Sequence, residues 1–360
     1  FKKFIYTCLD ENVISMDTEF VRNKTFYPEL CLIQIGTSKG SYAIDTKKLT
    51  NLSILKKILK NKNILKIFHS PRQDLEIFFN LFRLLPNNIF DTQIAYSFLC
   101  QEYQISYEKL VLKLLKIKLD KTFQYYDWSL RPISQNQLTY ALNDVYYLRK
   151  IYFKIVQKLK RKNRLHWAME ESKTYLNKKL YLNNPEDYWK NIYPHKAKNL
   201  NLFKLKKICE WREKKCMSLD ISRKLVFSDK DLIILTKNPK QLNSLSIKYK
   251  LKQEDLIIMD KILSNSSETF LEKKPKILKN NIELLTILKI ILKLISNELN
   301  ISQNLIATTS DLEKLNFKNN KKSRLLKTWR NEVFGIKINQ FLNNELKIIT
   351  RKNNFFLEKN

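Results

Sequence analysis

The distribution of apolar residues in the first third of the chain is the feature that most restricts its fold. Four short apolar runs bounded by turn residues have strand character. They are Val13–Asp17, Cys31–Ile35, Ser41–Ile44 and Ile64–Phe68. Gly36–Gly40 separates the second run from the third, which predicts a hairpin turn.

Helical spacing of apolar residues is found between and after these runs. It covers Leu52–Leu59 and Asp74–Leu85 and returns after Asp91. Ser134 lies three residues before Gln137, which is the pattern of a capping box and predicts a helix to about residue 159. Early strands followed by alternating strand and helix predict an α/β fold in which helices flank a mixed sheet.

The strand pattern fades after about residue 160, and helical patterns dominate the rest. A chain of 360 residues has room for two or three domains. Asn183–Pro185 reads as a break, Pro239 as the end of a helix, and Ser264–Pro275 as a linker. We predict an α/β domain over residues 1–175 and two small all-α domains over 185–266 and 276–352, with 281–349 helical. Because the chain starts with Phe1 rather than Met, we expect a short N-terminal piece to precede it.

The charge balance points to a polyanionic partner. Lys plus Arg is 67 and Asp plus Glu is 35, which gives a net charge of +32. Nucleic acid fits this charge better than a membrane surface does. The abundance of Lys, Asn, Ile and Leu beside only 3 Gly indicates a genome-wide bias, which would make unrelated proteins basic as well. Charge alone therefore does not choose the function.

Cysteine usage and hydropathy exclude several other classes. The 5 cysteines are scattered and form no CxxC pair, which argues against a disulfide framework and a structural zinc site. The most apolar segment, Ile282–Ile295, is too short to span a bilayer and contains Glu283, Lys289 and Lys293. No signal peptide is visible. We expect a cytoplasmic protein without a membrane partner.

Four acids and one tyrosine occupy informative positions. Asp17 and Glu19 follow the first apolar run two residues apart, so their side chains share one face of an extended strand. Asp74 follows the Ile64–Phe68 run and opens the next helical pattern. Tyr140 and Asp144 are four residues apart in a helical pattern and therefore lie on one helix face.

Clustered carboxylates repel one another unless a cation lies between them. Oxygen ligands suit Mg²⁺ or Mn²⁺. Two such ions can activate a water molecule and stabilise the leaving oxygen of a phosphodiester, and a nearby tyrosine could orient that water.

Each element of this pattern also has an ordinary structural interpretation. Asp-Thr-Glu at a strand end is usually a solvated turn, and Asp74 alone would be a helix-start residue. Tyr140 and Asp144 alone would be a surface pair. The combination, in this order and spacing, is far more specific than any one member.

Seven segments extend the pattern across residues 12–152. They are Asp17–Arg22, Tyr27–Ile35, His69–Glu76, Asp91–Gln93, Leu119–Lys121, Asp127–Pro132 and Tyr140–Leu148. Together they closely resemble ribonuclease D, the tyrosine-containing (DEDDy) branch of the DEDD 3′→5′ exonucleases, which has a ribonuclease H-like fold. The resemblance implies that Asp17, Glu19, Asp74 and Asp144 bind two divalent metal ions. It also implies that Tyr140 positions the nucleophilic water.

Three further residues are candidates for contacts with nucleic acid. Phe20, beside the acids, could stack on a terminal base, although a core aromatic is equally compatible. Lys121 and Arg131 could contact phosphates, and a solvated basic loop is the alternative.

His69 is expected to be a structural histidine, and Trp211 and Trp329 are expected to be core anchors.

The C-terminal segments extend the resemblance. Residues 186–239 resemble the HRDC domain, a small helical module that ribonuclease D shares with some helicases. Residues 284–347 resemble the second, more divergent helical domain of ribonuclease D. Ser222 stands where the HRDC family often has Pro.

These observations predict a hydrolase, a metal-dependent 3′→5′ exoribonuclease that releases 5′-mononucleotides. The resemblance implies substrates among tRNA precursors and other structured RNAs, and a monomer. One alternative is a DNA 3′→5′ exonuclease with the same metal site. The other is a basic RNA-binding protein that no longer cuts, against which the complete set of five residues argues.

Overall fold

A five-stranded sheet forms the centre of the N-terminal part of the chain. The computed structural model describes residues 1–196, 200–265, 282–315, 323–352 and 354–360. The strands are β1 (Val13–Val21), β2 (Glu29–Gly36), β3 (Ser41–Asp45), β4 (Leu65–Phe68) and β5 (Ile89–Asp91). Their order is β3-β2-β1-β4-β5, with β2 and β3 antiparallel and β4 parallel to both β1 and β5. The predicted mixed sheet and the hairpin between β2 and β3 are confirmed.

Two details of the sheet differ from the sequence prediction. The first strand extends to Val21, so Asp17 and Glu19 lie within it and do not follow it. The run continues because Phe20 and Val21 favour extended backbone. Strand β5 was not predicted, because its three residues are too few to show a period.

Helices flank this sheet. They are α1 (Lys2–Leu9), α2 (Leu55–Lys60), α3 (Arg72–Phe82), α4 (Thr92–Ser97), α5 (Tyr107–Leu115), α6 (Gln135–Arg161) and α7 (Leu165–Lys173). The predicted capping box opens α6: the Ser134 hydroxyl accepts the Gln137 N–H, and the Gln137 side chain accepts the Ser134 N–H at 2.7 Å. Two orphan N–H groups are thereby satisfied at the start of the longest helix.

Helix α6 packs closely against the sheet. The Ser15 hydroxyl in β1 donates a 2.6 Å hydrogen bond to the Val145 carbonyl oxygen. Gly36, at the end of β2, permits this approach, because a Cβ there would lie 2.3 Å from Ser15 Oγ and 2.9 Å from the Val145 oxygen. Tyr107 of α5 donates to the carbonyl oxygens of Asn143 and Asp144 at 3.0 and 2.5 Å. These contacts hold the middle of α6 against β1.

The rest of the chain is mainly helical. The helices are α8 (Trp189–Lys196), α9 (Leu202–Leu219), α10 (Arg223–Val226), α11 (Asp229–Lys237), α12 (Leu242–Tyr249), α13 (Gln253–Ser264), α14 (Ile282–Leu299), α15 (Gln303–Ile306), α16 (Thr309–Glu313), α17 (Thr328–Arg330) and α18 (Ile336–Leu342). Among the described residues, no helix combines the length and apolarity needed to span a membrane. The predicted linker lies outside the described residues from 266 onward.

The end of the chain corrects one prediction. Residues up to 349 were expected to be helical, but β6 (Leu346–Arg351) and β7 (Asn354–Lys359) form an antiparallel hairpin. Ile348 and Ile349, both β-branched, lie in the first of these strands.

The chain divides into two compact units. The first comprises Phe1–Glu19, Cys31–Leu180 and Lys276–Asn360. Its core joins the sheet and α4–α7 to the C-terminal helices: Trp329 is fully buried, with its ring centroid 4.8 Å from that of Phe98 and 5.6 Å from that of Trp167. Trp329 is a core anchor as expected, but it anchors this shared core and not the core of a separate small domain. The predicted third domain therefore shares a hydrophobic core with the predicted first domain, while the predicted boundaries themselves stay a prediction.

The second unit comprises Phe20–Leu30 and Tyr181–Pro275. Its apolar core contains Trp189, Phe227 and Leu232. The fully buried Arg212 donates to the Phe227 carbonyl oxygen and to Asp229, both at 2.8 Å. Asp220 accepts the backbone N–H groups of Phe26 and Tyr27, which fastens the segment after β1 to the helices of this unit.

We expect Gly36→Ala to destabilise the protein by about 1–3 kcal/mol, because the added methyl group overpacks the contact between β2 and α6. Urea unfolding followed by circular dichroism measures this change. Adding Ser15→Ala removes the clash with the hydroxyl but leaves the clash with the Val145 carbonyl. The double variant should therefore recover only part of the loss. An unfolding midpoint that Gly36→Ala leaves unchanged would contradict the close packing.

Candidate active site

Three elements carry the five predicted site residues. Asp17 and Glu19 alternate with Thr18 in β1 and so lie on the same face of the strand. Asp74 lies in the first turn of α3, which follows β4. Tyr140 and Asp144 lie one turn apart in α6. Because β1 and β4 are parallel neighbours and α6 packs on β1, the structure brings these elements to one place.

The carboxylates of this cluster are close enough to share a cation. One oxygen from each of Asp17, Glu19 and Asp144 lies within 4.8 Å of the others, and it is the one such group of three or more potential ligands in the described residues. Asp74 is 7% exposed and accepts a 2.5 Å hydrogen bond from the Thr18 hydroxyl. Its charge acts on both Asp17 and Glu19.

Burial and mutual repulsion dominate the electrostatics of these acids. Burial, followed by the charges of Asp74, Asp144 and Glu19, raises the pKa of Asp17 well above its usual range. Burial, followed by the charges of Asp144 and Asp74, raises the pKa of Glu19 to about 9. Burial raises the pKa of Asp144 to about 7 and that of Asp74 to about 6, the latter opposed by the Thr18 hydroxyl. The described side chains do not compensate these charges, so the donor set fits a divalent cation.

Tyr140 lies between two cavities. One, of 260 Å³, is lined by Asp17, Glu19, Tyr140 and Asp144 together with residues of the 119–124 loop. The other, of 430 Å³, is lined by Tyr140 and Asp144 together with Phe123 and Asn143. Burial, followed by the charge of Asp144, raises the pKa of the Tyr140 hydroxyl.

The turn between β4 and α3 sets the position of Asp74. Ser70 has a left-handed backbone with φ 58°, and its N–H donates to the Asp91 carboxylate at 2.9 Å. Pro71 occupies the N-cap of α3, where a missing N–H leaves no helical bond unmade. Asp91 also accepts the Gln93 N–H at 2.9 Å and so links this turn to the start of α4.

His69 is a structural residue, as expected from the sequence. One ring nitrogen lies 3.0 Å from the Thr92 hydroxyl oxygen and the other 3.1 Å from the Ile105 carbonyl oxygen. Burial lowers its pKa to about 4, so the ring is neutral near pH 7.

The three residues predicted to contact nucleic acid have different local surroundings. Lys121 lines the 260 Å³ cavity, with its ammonium 2.5 Å from the Glu108 carboxylate. Arg131 forms a two-bond pair with Asp45, at 3.0 and 2.6 Å, and also donates to three carbonyl oxygens, so a phosphate would compete with these bonds. Phe20 alternates with Glu19 along β1, which turns its side chain to the opposite face of the strand from the acids. All three contacts stay predictions.

Three residues of the site were missed by the sequence analysis. Thr18 orients Asp74, and its position inside Asp-Thr-Glu was the available signal. Tyr107 braces the backbone beside Asp144, and Glu108 adds a carboxylate to the cavity wall. Neither belongs to a motif that distinguishes it from an ordinary helix start.

Ionisation of the cluster should oppose folding when no metal ion is bound. Because folding raises the pKa values of these acids, their protonation stabilises the folded state. This stabilisation is complete below about pH 4 and is lost as the pH rises through about 6 to 9. Asp17→Asn removes one buried charge. We expect this variant to be more stable than the parent by about 1–3 kcal/mol at pH 8.5 in EDTA, and equal to it at pH 4. Urea unfolding at both pH values measures the difference.

Asp10→Asn, at an exposed acid of the same unit, is the matched control and should change nothing. Mg²⁺ or Mn²⁺ should stabilise the parent more than Asp17→Asn, because binding to the folded state adds to its stability. A parent that gains no stability from either ion would contradict a metal site.

Comparison with known proteins identifies the family of this chain. The family model of a 3′–5′ exonuclease matches residues 1–160. Ribonuclease D of Bartonella henselae is 35% identical over 94% of this chain and 87% of its own length. Ribonuclease D of Sphingobium indicum is 32% identical over 89% of this chain and 87% of its own length.

A solved structure shows the same architecture over nearly the whole chain. Escherichia coli RNase D, described as an exoribonuclease involved in structured RNA processing, superposes with a TM-score of 0.79 at 25% identity, covering 95% of this chain and 96% of that one. The relatives by sequence and the relative by fold therefore belong to the same family. This protein belongs to the ribonuclease D family of 3′–5′ exoribonucleases.

Proposed function

We propose that this protein shortens RNA from the 3′ end with a two-metal site held by Asp17, Glu19, Asp74 and Asp144, and that Tyr140 orients the attacking water. The observation that carries the proposal is the convergence of three carboxylate oxygens within 4.8 Å beside Tyr140 in one cavity. In each cycle water would attack the terminal phosphodiester, the 3′ oxygen of the preceding nucleotide would leave as a hydroxyl, and a 5′-monophosphate would be released.

Divalent ions would supply charge neutralisation and Lewis acidity in this cavity. All four proposed ligands are carboxylates, which suit Mg²⁺ and Mn²⁺ equally. Thr18 holds Asp74 through a hydrogen bond, so one ligand is oriented before any ion arrives. The close packing of α6 on β1 fixes the separation of Asp144 from Asp17.

Tyr140 is proposed to act as a hydrogen-bond donor. Burial and the neighbouring carboxylates raise its pKa, which keeps the phenol protonated near pH 7. A protonated phenol can orient a water or a phosphate oxygen but does not take up a proton. This favours an orienting role for Tyr140 over that of a general base.

RNA with structure upstream of a 3′ tail is the proposed substrate class, with tRNA precursors as its proposed cellular members. Support comes from the net charge of +32 and from the description of the Escherichia coli relative as processing structured RNA. Two HRDC-type helical domains would hold the RNA body through phosphate contacts. A monomer in the cytoplasm is proposed, and five free cysteines fit a reducing compartment.

A time course with 5′-labelled RNA bearing a short 3′ tail tests this function. We expect a ladder that shortens from the 3′ end with Mg²⁺ or Mn²⁺ and disappears with EDTA. Asp17→Asn should reduce cutting to background while RNA still shifts on a native gel. Tyr140→Phe should slow cutting by about 10²–10³-fold, because a positioned hydrogen-bond donor is lost.

Tyr146→Phe is the matched control, since Tyr146 lies on the same helix and is 44% exposed. It should cut like the parent. A matched DNA strand that disappears faster than RNA would replace the proposal with a DNA exonuclease. Intact RNA that binds but is never shortened would replace it with a binding protein.

A further inference from the structure

Helix α6 ends in a dense run of cations that the proposed chemistry does not use. Lys158, Lys160, Arg161 and Lys162 are four of five consecutive residues, and all four are exposed. Within the described part of the chain, none of them forms an ion pair with a carboxylate. We call these four residues the α6 basic end.

This concentration of charge works against the stability of the helix. Lys158 lies three residues before Arg161 and four before Lys162, and like charges at these spacings on a helix repel one another. Attraction to the helix C-terminus offsets part of that repulsion. Arg164, just beyond the run, is by contrast a cation with a structural role. Its side chain is 9% exposed and donates a hydrogen bond to the Phe98 carbonyl oxygen at 2.8 Å. The side chains of the α6 basic end have no such partner among the residues that the structure describes, and they are exposed to solvent.

The exposed cations surround concave surface on both sides of the helix end. Lys158, Arg161 and Lys162 line a depression of 270 Å³ together with Tyr96 and Leu99. Lys160 lines a separate depression of 570 Å³ together with Lys173 and the carboxylate of Glu170. The first depression is lined by three cations and no carboxylate, and a positively charged concavity concentrates anions more strongly than a flat surface does.

The same helix carries two residues of the candidate active site, Tyr140 and Asp144, in its first half. At about 1.5 Å per residue, the sixteen residues from Asp144 to Lys160 span about 24 Å of helix. At about 3.4 Å per nucleotide along a stacked strand, this distance corresponds to about seven nucleotides. An RNA whose 3′ end lies in the cavity can therefore reach the α6 basic end only if it has several nucleotides on the 5′ side of the bond that is cut.

We propose that the α6 basic end is a second RNA-binding site, which holds the sugar-phosphate backbone about seven or more nucleotides upstream of the 3′ end. The inference rests on the proposed exoribonuclease function and adds to it a length-dependent contact. Its contribution is affinity without sequence reading, because the cations face phosphates. RNA is favoured over an anionic membrane because the run lies on the helix that carries Tyr140 and Asp144.

The test compares two substrates of different length. One is a trinucleotide, which cannot reach the basic end, and the other is a hairpin with a 3′ tail. The triple variant Lys158→Gln, Arg161→Gln, Lys162→Gln should raise KM for the hairpin by about tenfold or more and lower the slope of log Kd against log salt by about 2–3. Its kcat/KM on the trinucleotide should stay within about twofold of the parent, because the cavity is untouched.

A matched variant removes three exposed lysines of the same unit, Lys39→Gln, Lys60→Gln and Lys62→Gln. It changes the net charge equally and should leave KM for the hairpin within about twofold of the parent's. If both triple variants lose the same hairpin affinity, overall charge explains the effect and the site is refuted. If the α6 variant binds the hairpin like the parent but loses binding to phosphatidylserine vesicles, the site is refuted in favour of a membrane contact.

The proposed function fails separately from this site. A parent that cuts neither substrate with Mg²⁺ or Mn²⁺ would refute the exoribonuclease function. A parent that cuts both substrates, beside an α6 variant with unchanged hairpin KM and salt slope, would refute the second site alone.

Discussion

The contact between α6 and β1 is the constraint on which the rest of the site depends. The Ser15 hydroxyl of β1 donates a hydrogen bond to the Val145 carbonyl oxygen of α6. Asp144 directly precedes Val145, and Asp17 lies two residues after Ser15 on the same face of β1. A single missing side chain, at Gly36, makes this approach possible. Tyr107 adds hydrogen bonds to the carbonyls of Asn143 and Asp144 from α5. Neutral hydrogen bonds and close packing thereby bring together acids that would otherwise repel one another.

The energetics of the cluster show why such a site is a local weakness of the fold. Burial raises the pKa of each acid, so ionising the cluster at neutral pH opposes folding. The surrounding core provides the stability that offsets this. It includes Ile67 and Phe90 of the sheet and extends to Trp329, far along the sequence. A large shared core beneath the sheet is thus a physical condition for keeping four carboxylates close together.

The sequence was informative where local pattern decides structure. The runs that became β2 and β3, the capping box at Ser134 and the order of the five site residues are all short-range signals. What escaped prediction depends on distant partners or on very short elements. Strand β5 has three residues, the pairing of β6 with β7 overrides a helical expectation, and Arg131 is committed to Asp45, 86 residues away. The N-terminal sheet and the C-terminal helices share one hydrophobic core. This too depends on packing, and the periodicity of apolar residues in either segment does not reveal it.

Charge acts on this protein at two separate length scales. The net charge of +32 belongs to the chain as a whole, and salt screens the field of exposed charges within about 8–10 Å. It therefore cannot neutralise the buried carboxylates, whose pKa values stay raised despite the surrounding excess of lysine. Under the proposed function, long-range attraction of RNA and local neutralisation of these acids would require different groups. Surface cations would provide the first, and divalent metal ions would provide the second. Helix α6 joins the two requirements, since it carries Asp144 within the cavity and a cluster of solvent-facing cations at its end.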